Sequence, residues 1–322
     1  MYKMENLLCR QSIMRGRKGD SFYKSVNKNK YTFTLQLTFS FNYGTIYKKE
    51  IQMENISTLV RTRRSVRTYD NRPITSDDIQ KLSSFMSKIE NPYGIPVEFK
   101  FLDVKQQKLS CPVVTGTDLF IGTKVKRVPH AEEATGYSLE MLVLYAQSLN
   151  IGTVWIGGTM DRPAFERAMS LNSDEMMPCV SPLGYIAKKM SMRETLMRKG
   201  VKADTRLPFE ELFFDGTFAN PLTKEKAADL SEPLEAVRLA PSAVNKQPWR
   251  VVIDKNCVHF YLKRNKGFIS EAAGDMQKID LGIAICHFAL SAKENGMNIS
   301  FILNDPKLTV EADIEYIASY TL

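Results

Sequence analysis

The sequence predicts an α+β protein made of two tandem lobes that pack on one another as an internal pseudo-dimer. Three observations carry this. Two long segments, about 131–150 and 277–295, are apolar on nearly every face, which is the mark of fully buried helices. Each ends at a stop signal, Asn150-Ile151-Gly152 and Asn295-Gly296, and runs on into strand-like residues. The whole plan recurs after about 145–148 residues, a period too long for a solenoid unit and suited to a duplicated domain.

The elements come in order. Residues 1–52 hold ten Lys+Arg against three Asp+Glu, and residues 31–42 alternate apolar and polar in strand fashion. This segment differs abruptly in composition from the rest of the chain. It reads as a non-native extension of the reading frame or as a disordered basic arm. Lys48–Gln52 can be encoded by a ribosome-binding sequence, and Met53 opens a run that looks like a protein start.

The first lobe, 53–208, begins with Arg63-Arg64-Ser65-Val66-Arg67. Pro73-Ile74 then leads into a helix from about Thr75, with Asp78 at capping-box spacing. Ile79, Leu82, Phe85, Met86 and Ile89 give that helix one apolar face. After the helix at 131–150 comes a strand, Thr153–Ile156. The second lobe, 209–322, repeats the entry as Pro221-Leu222-Thr223. It has a helix near 232–240, a buried strand from Trp249 through Ile253, and a strand around Ile299–Leu303 after the second long helix.

The bulk composition excludes several classes. At 43% hydrophobic and 25% charged the chain is ordinary globular protein. The net charge of +8 is concentrated in residues 1–52, which carry +7; residues 53–322 hold 34 basic and 33 acidic side chains. The body is neutral, so no nucleic-acid partner is expected. Five cysteines (9, 111, 179, 257 and 286) form no C-x-x-C pair, and three histidines (130, 259 and 287) show no metal spacing. No apolar run approaches the roughly 18 residues of a membrane helix. The expectation is a cytoplasmic protein with no metal and no membrane partner.

Chemistry concentrates in three places. Ala240-Pro241-Ser242-Ala243-Val244-Asn245-Lys246-Gln247-Pro248-Trp249 is a helix stop, a polar loop and a strand start. Each proline biases the residue before it away from helical geometry, and the hydroxyl, amide and backbone N–H groups between them suit a ligand. The Arg63–Arg67 run supplies planar, permanently charged donors fit for phosphate oxygens. Gly157-Gly158 lets the main chain approach a flat ligand closely.

Together these motifs resemble the FMN-dependent nitroreductase family over about 53–322. In that family two identical subunits build two flavin sites across their interface. One subunit gives the Arg-Arg-Ser-x-Arg run and the glycine strand, and the other gives the Pro-Ser-x-x-Asn loop. Shifted by 148 residues, Arg63–Arg67 falls on Glu211-Leu212-Phe213-Phe214-Asp215, and Gly157-Gly158 falls near Phe301-Ile302. The first-lobe counterpart of the Pro241 loop is Asn91-Pro92-Tyr93-Gly94. The chain thus looks like such a dimer fused and reduced to one composite site.

The resemblance implies two lobes of mostly antiparallel sheet flanked by helices. It also implies an NAD(P)H-dependent flavin oxidoreductase that passes electrons through FMN to a small acceptor, such as a quinone or nitroaromatic, by ping-pong kinetics. Arg63, Arg64 and Ser65 would hold the phosphate, and Arg67 the pyrimidine edge of the ring. Gly157 and Gly158 would flank the ring, while Pro241, Ser242 and Asn245 would meet the ring or the ribityl chain. Arg206, before Leu207-Pro208, matches the second of a basic pair that touches the phosphate; the first falls on Asp204, with Lys202 as a substitute. No catalytic side chain is expected, because the flavin carries the chemistry. NADH and NADPH stay equally open as donor, and a monomer is expected. A flavin-binding protein of the same fold without turnover is the alternative.

Overall fold

The structure is a computed structural model that describes Met53 and residues 55–322; the expectations for residues 1–52 lie outside the described residues. Helix α1 (Ile56–Thr62) opens the described chain and stops where Arg63 turns to extended backbone. Helix α2 (Ser76–Met86) starts at Thr75, whose hydroxyl accepts the Asp78 N–H at 3.2 Å. It buries Leu82 and Phe85 of the apolar face the sequence predicts.

Strands β1 (Glu98–Asp103) and β2 (Leu119–Lys126) lead to the long helix α3 (Ala131–Ser148). Then come β3 (Ile151–Gly152), α4 (Arg162–Met169), β4 (Glu175–Met176), β5 (Val180–Tyr185) and α5 (Met192–Gly200). The first sheet has the order β1-β2-β5-β3, with β4 on β2, and every pairing is antiparallel.

The second lobe runs β6 (Phe213–Asp215), α6 (Ser231–Leu239), β7 (Trp249–Asp254), β8 (Cys257–Lys263), and a small hairpin of β9 (Ile269–Ser270) and β10 (Gly274–Asp275). The long helix α7 (Met276–Glu294), β11 (Ser300–Ile302) and β12 (Ile314–Thr321) complete it. The second sheet has the order β11-β12-β8-β7-β6, antiparallel except for the parallel β6–β7 edge. Read from the other end, β7-β8-β12-β11 repeats β1-β2-β5-β3. The long helix comes after the second strand of this order in both lobes. The strand order of the first lobe thus recurs in the second.

Strand boundaries differ from expectation after α3. The regular ladder covers only Ile151–Gly152, while Thr153 and Ile156 make isolated bridges, to Ser65 and Val180. The ladder breaks because the Val154 N–H turns to the Ser181 hydroxyl at 3.2 Å. The second-lobe strand is likewise shorter, at Ser300–Ile302.

The lobes meet through α3 and α7, which are buried along nearly their whole length. They cross at glycines. A Cβ on Gly136 would lie 2.1 Å from the Ile279 carbonyl oxygen, and one on Gly282 would lie 2.1 Å from that of Glu133. Only residues without Cβ allow backbones this close. Helix α1 does not stay with its own lobe. Ile56, Leu59 and Val60 pack with Leu144 of α3 and Ala236 of α6, and the Glu294 carboxylate of α7 accepts the Ile56 and Ser57 N–H groups. The Arg run after α1 is thereby anchored to both lobes.

Candidate functional site

The Arg63–Arg67 run is extended and lies along the segment after α3. The Val66 N–H donates to the Thr153 carbonyl at 2.9 Å, and Ser65 bridges Thr153 in parallel. This puts the arginine motif beside the segment that leads from β3 to Gly157-Gly158. Arg63 is buried, its Nε 3.9 Å from a fully buried Glu140 oxygen on α3. Arg64 Nη1 pairs with Glu194 on α5 at 3.0 Å.

Glu194, itself buried, also accepts the Arg67 backbone N–H at 3.2 Å and the Thr68 hydroxyl at 2.7 Å. It is the fourth residue of a Ser191-x-x-Glu194 capping pattern in which Ser191 caps α5. Sequence reasoning missed it, and that spacing was its only local signal.

The guanidinium groups are incompletely partnered. Arg63 Nε and Nη1, Arg67 Nε and Arg206 Nε are buried without a hydrogen-bond acceptor. Burial lowers the pKa of Arg63 and Arg67. Arg206 is brought down to about 10, first by burial and then by repulsion from Arg63 and Arg238. Arg198 on α5 repels Arg63, Arg67 and Arg206 as well. Buried N–H donors without acceptors, on cations that repel one another, form a cradle for an anion.

Arg206 ties this cradle to the second lobe. Its Nη2 donates to the Leu239 carbonyl at 3.2 Å and its Nη1 reaches Asn245 Oδ1 at 3.4 Å. The Pro241–Trp249 loop is built with strain. Val244, Asn245 and Gln247 have φ of 51°, 56° and 47°, and a β-branched residue such as Val244 seldom adopts that geometry. Val244 is also exposed.

Several contacts hold the loop. The Ser242 hydroxyl accepts the Gln247 N–H at 2.8 Å, Gln247 Oε1 accepts the Leu207 N–H at 2.9 Å, and the Ala243 N–H lies 2.9 and 3.1 Å from the two Asp280 oxygens. Asn245 Nδ2 donates to the carbonyls of Lys202 and Thr205. The Asn245 amide therefore fastens the loop to the 202–206 segment, while Pro241 and Ser242 lie half-buried beside it.

Gly157 and Gly158 differ from one another. A Cβ on Gly157 would meet Met276 Cε of α7 at 2.6 Å, so its bareness admits a second-lobe side chain. Gly158 is exposed, with nothing within 4 Å of where its Cβ would stand. Trp155, just before them, donates its indole N–H to Glu140 at 2.8 Å. The other Glu140 oxygen meets His287 Nε2 on α7 at 2.9 Å, and His287 Nδ1 faces the Ala236 carbonyl of α6 at 2.9 Å. Glu140 thus touches the arginine run, the glycine strand and the second lobe at once.

A family model described as "Putative TM nitroreductase" matches residues 55–292. The chain belongs to this nitroreductase family. The chain shares its fold with a putative nitroreductase from Thermotoga maritima, at 18% identity and a TM-score of 0.54, over 84% of this chain and 96% of that one. Two Clostridium difficile structures match at 17% identity. A nitroreductase family protein covers 49% of this chain and 96% of its own, with a TM-score of 0.39; an FMN-dependent nitroreductase covers 44% and 94%, with a TM-score of 0.36. No curated protein matches the sequence. Among the described residues no helix is long and apolar enough to cross a membrane. Membership of the family makes the protein a nitroreductase-like oxidoreductase.

Proposed function

We propose that this nitroreductase binds FMN at one composite site and passes electrons from NADH or NADPH to a small acceptor such as a quinone or nitroaromatic. The observation that carries the reading is the set of buried, unpartnered N–H groups on Arg63, Arg67 and Arg206, two of them from the predicted run and one beside the Pro241 loop. A phosphate dianion supplies the acceptors that Arg63 and Arg206 lack, and a polar ring edge supplies the one that Arg67 lacks, so the residues fit the group. Arg63 and Arg206 grip the phosphate, and Ser65 adds a hydroxyl. Arg64 contributes charge while its Nη1 anchors Glu194. Arg67 faces the ring's pyrimidine edge.

Gly158 offers the main chain an open face, and Pro241, Ser242 and Asn245 close the site from the second lobe. When bound, FMN supplies two-electron transfer between a nicotinamide and an acceptor. Donor and acceptor use one slot in turn, which gives ping-pong kinetics. The protein's own contribution is position and electrostatics, and solvent supplies protons.

The test is the visible spectrum of the purified chain and the flavin released on denaturation, then steady-state NAD(P)H oxidation with a quinone. Arg63→Ala removes a buried charge-assisted partner and weakens FMN binding by roughly 1.5–3 kcal/mol. Glu211→Ala, at the exposed corresponding position of the second lobe, leaves affinity unchanged. A colourless protein that does not take up FMN refutes the reading. A yellow protein without NAD(P)H oxidation leaves flavin binding without turnover.

A further inference from the structure

The phosphate cradle has a position that the sequence fills with the wrong charge. Asp204 stands two residues before Arg206, where a cation is expected. In the structure Asp204 does not face the cradle alone. Its carboxylate pairs with Nη2 of Arg198, from the last turn of α5. Arg198 Nη1 reaches the Ser65 carbonyl at 3.5 Å, inside the predicted phosphate run. Its side chain is only 12% exposed, whereas that of Asp204 is 82% exposed.

Arg198 also stands close enough to repel Arg63, Arg67 and Arg206, three of the arginines of the cradle. An arginine placed for stability does not gather three like charges around it. One placed for an anion does, because the ligand converts mutual repulsion into shared attraction.

We infer that Arg198 is a direct phosphate ligand of this site, brought in from α5 to replace the missing cation, and that Asp204 is its counter-ion until phosphate arrives. The inference rests on the FMN reading for the identity of the ligand, though not for the anion cradle itself. Lys202 then needs no part in the phosphate contact. Its carbonyl instead receives Asn245 Nδ2.

The alternative is a plain structural role. A basic residue in the last turn of a helix complements the helix dipole, and an ion pair with Asp204 adds a little. The two roles differ in sign on the apo protein. Arg198→Gln in the full chain is titrated with FMN and with riboflavin, which lacks the phosphate, by flavin fluorescence, and the flavin-free protein is melted. The ligand role predicts roughly a ten- to hundredfold loss of FMN affinity, riboflavin affinity within about twofold, and an apo melting temperature equal to or above that of the unchanged chain. Equal losses for both flavins, or a lower apo melting temperature with FMN affinity intact, overturn it.

Asp204→Asn removes the competing carboxylate and tightens FMN alone; weaker FMN binding overturns its role as counter-ion. Should Arg198→Gln not fold, Arg198→Lys keeps the charge without the planar fork and shows a smaller loss of the same selectivity. Inorganic phosphate separates this inference from the cofactor reading. It raises the melting temperature of the unchanged chain more than that of Arg198→Gln, whether or not the chain binds flavin. An equal rise in both overturns Arg198 as a ligand.

Discussion

Glu140 on α3 and His287 on α7 meet across the lobe interface at 2.9 Å, with neither side chain exposed. His287 has a partner at each ring nitrogen, Glu140 at Nε2 and the Ala236 carbonyl at Nδ1. The same carboxylate takes the Trp155 indole N–H and lies near Arg63, so the latch between lobes also fixes two walls of the site.

His287→Leu removes the ring nitrogens that meet Glu140 and the Ala236 carbonyl and leaves both of those groups buried without that partner. Leaving a buried polar group unpaired costs about 1–3 kcal/mol. The expected result is a fall of that size in denaturant stability, read from the shift of the unfolding midpoint at an unchanged slope. A loss well under about 1 kcal/mol would show that this contact does not hold the lobes together.

The helix crossing makes a second, purely steric prediction. Gly136→Ala or Gly282→Ala drives a methyl into a backbone carbonyl of the facing helix, at 2.1 Å in each case. Backbone cannot rotate away as a side chain does, so α3 and α7 must separate. The loss exceeds the usual overpacking range of about 1–3 kcal/mol, or the chain fails to fold. Gly200→Ala, with nothing within 4 Å, serves as the control and leaves thermal stability nearly unchanged. Equal tolerance at all three positions would contradict the close crossing.

That crossing shows what the sequence could and could not reveal. The two long helices were legible because apolar residues on every face have few meanings other than burial. Their tight crossing was not, since a glycine inside an apolar helix does not announce its partner. The arginine run, the glycine pair and the Pro241 loop were legible as motifs, and the structure sets the run beside the glycine strand through Ser65 and Thr153. Glu194 and Arg198 were not legible. The run Met192–Gly200 reads as a solvated charged helix, and the burial of Glu194 within it comes from Arg64 and Arg67, more than 120 residues away. Asn245 illustrates a different limit. An amide serves a ligand or a neighbouring backbone equally well, and only the carbonyls of Lys202 and Thr205 distinguish them.

Asp280 gives a pH-dependent prediction. Its carboxyl is buried on α7 under the Pro241 loop, and its pKa is raised well above the usual carboxylate value of 3.8, first by desolvation. The folded protein therefore binds this proton more tightly than the unfolded chain does. Stability falls as pH rises from the unfolded pKa through the folded one, and the penalty is complete above it. Asp280→Asn keeps an acceptor for the Ala243 N–H without the charge. The variant should be more stable than the parent at neutral pH, with a flatter decline of stability between acid and neutral pH in denaturant titrations. A variant that is less stable at neutral pH and equally pH-dependent would mean that the carboxylate form is the one the loop requires.

Stoichiometry depends on the second, incomplete pseudo-equivalent site. The resemblance implies that an ordinary dimer of this family carries every motif twice and so builds two sites. Here the counterpart of the Pro241 loop is Asn91–Gly94, and the counterpart of the glycine pair lies at Phe301-Ile302. These two segments are packed against each other. The Tyr93 ring meets Phe301 edge-on at 4.8 Å and stacks on His130 at 5.3 Å, and Phe301 in turn meets Tyr320 at 5.4 Å. A flavin ring has no slot among these aromatics. The position matching the arginine run offers Glu211 and Asp215, both exposed and both acidic, which repel a phosphate dianion. One FMN per chain is therefore expected, and with it a monomer, since the two lobes would already supply each other's partner. Flavin released by denaturation, divided by chain concentration, should approach one, and light scattering should give the mass of a single chain. A ratio near two would require the Tyr93–Phe301 packing to open into a second site. A ratio near one half would mean that two chains share a site, and the Arg63 run and the Pro241 loop would then have to act between molecules rather than within one.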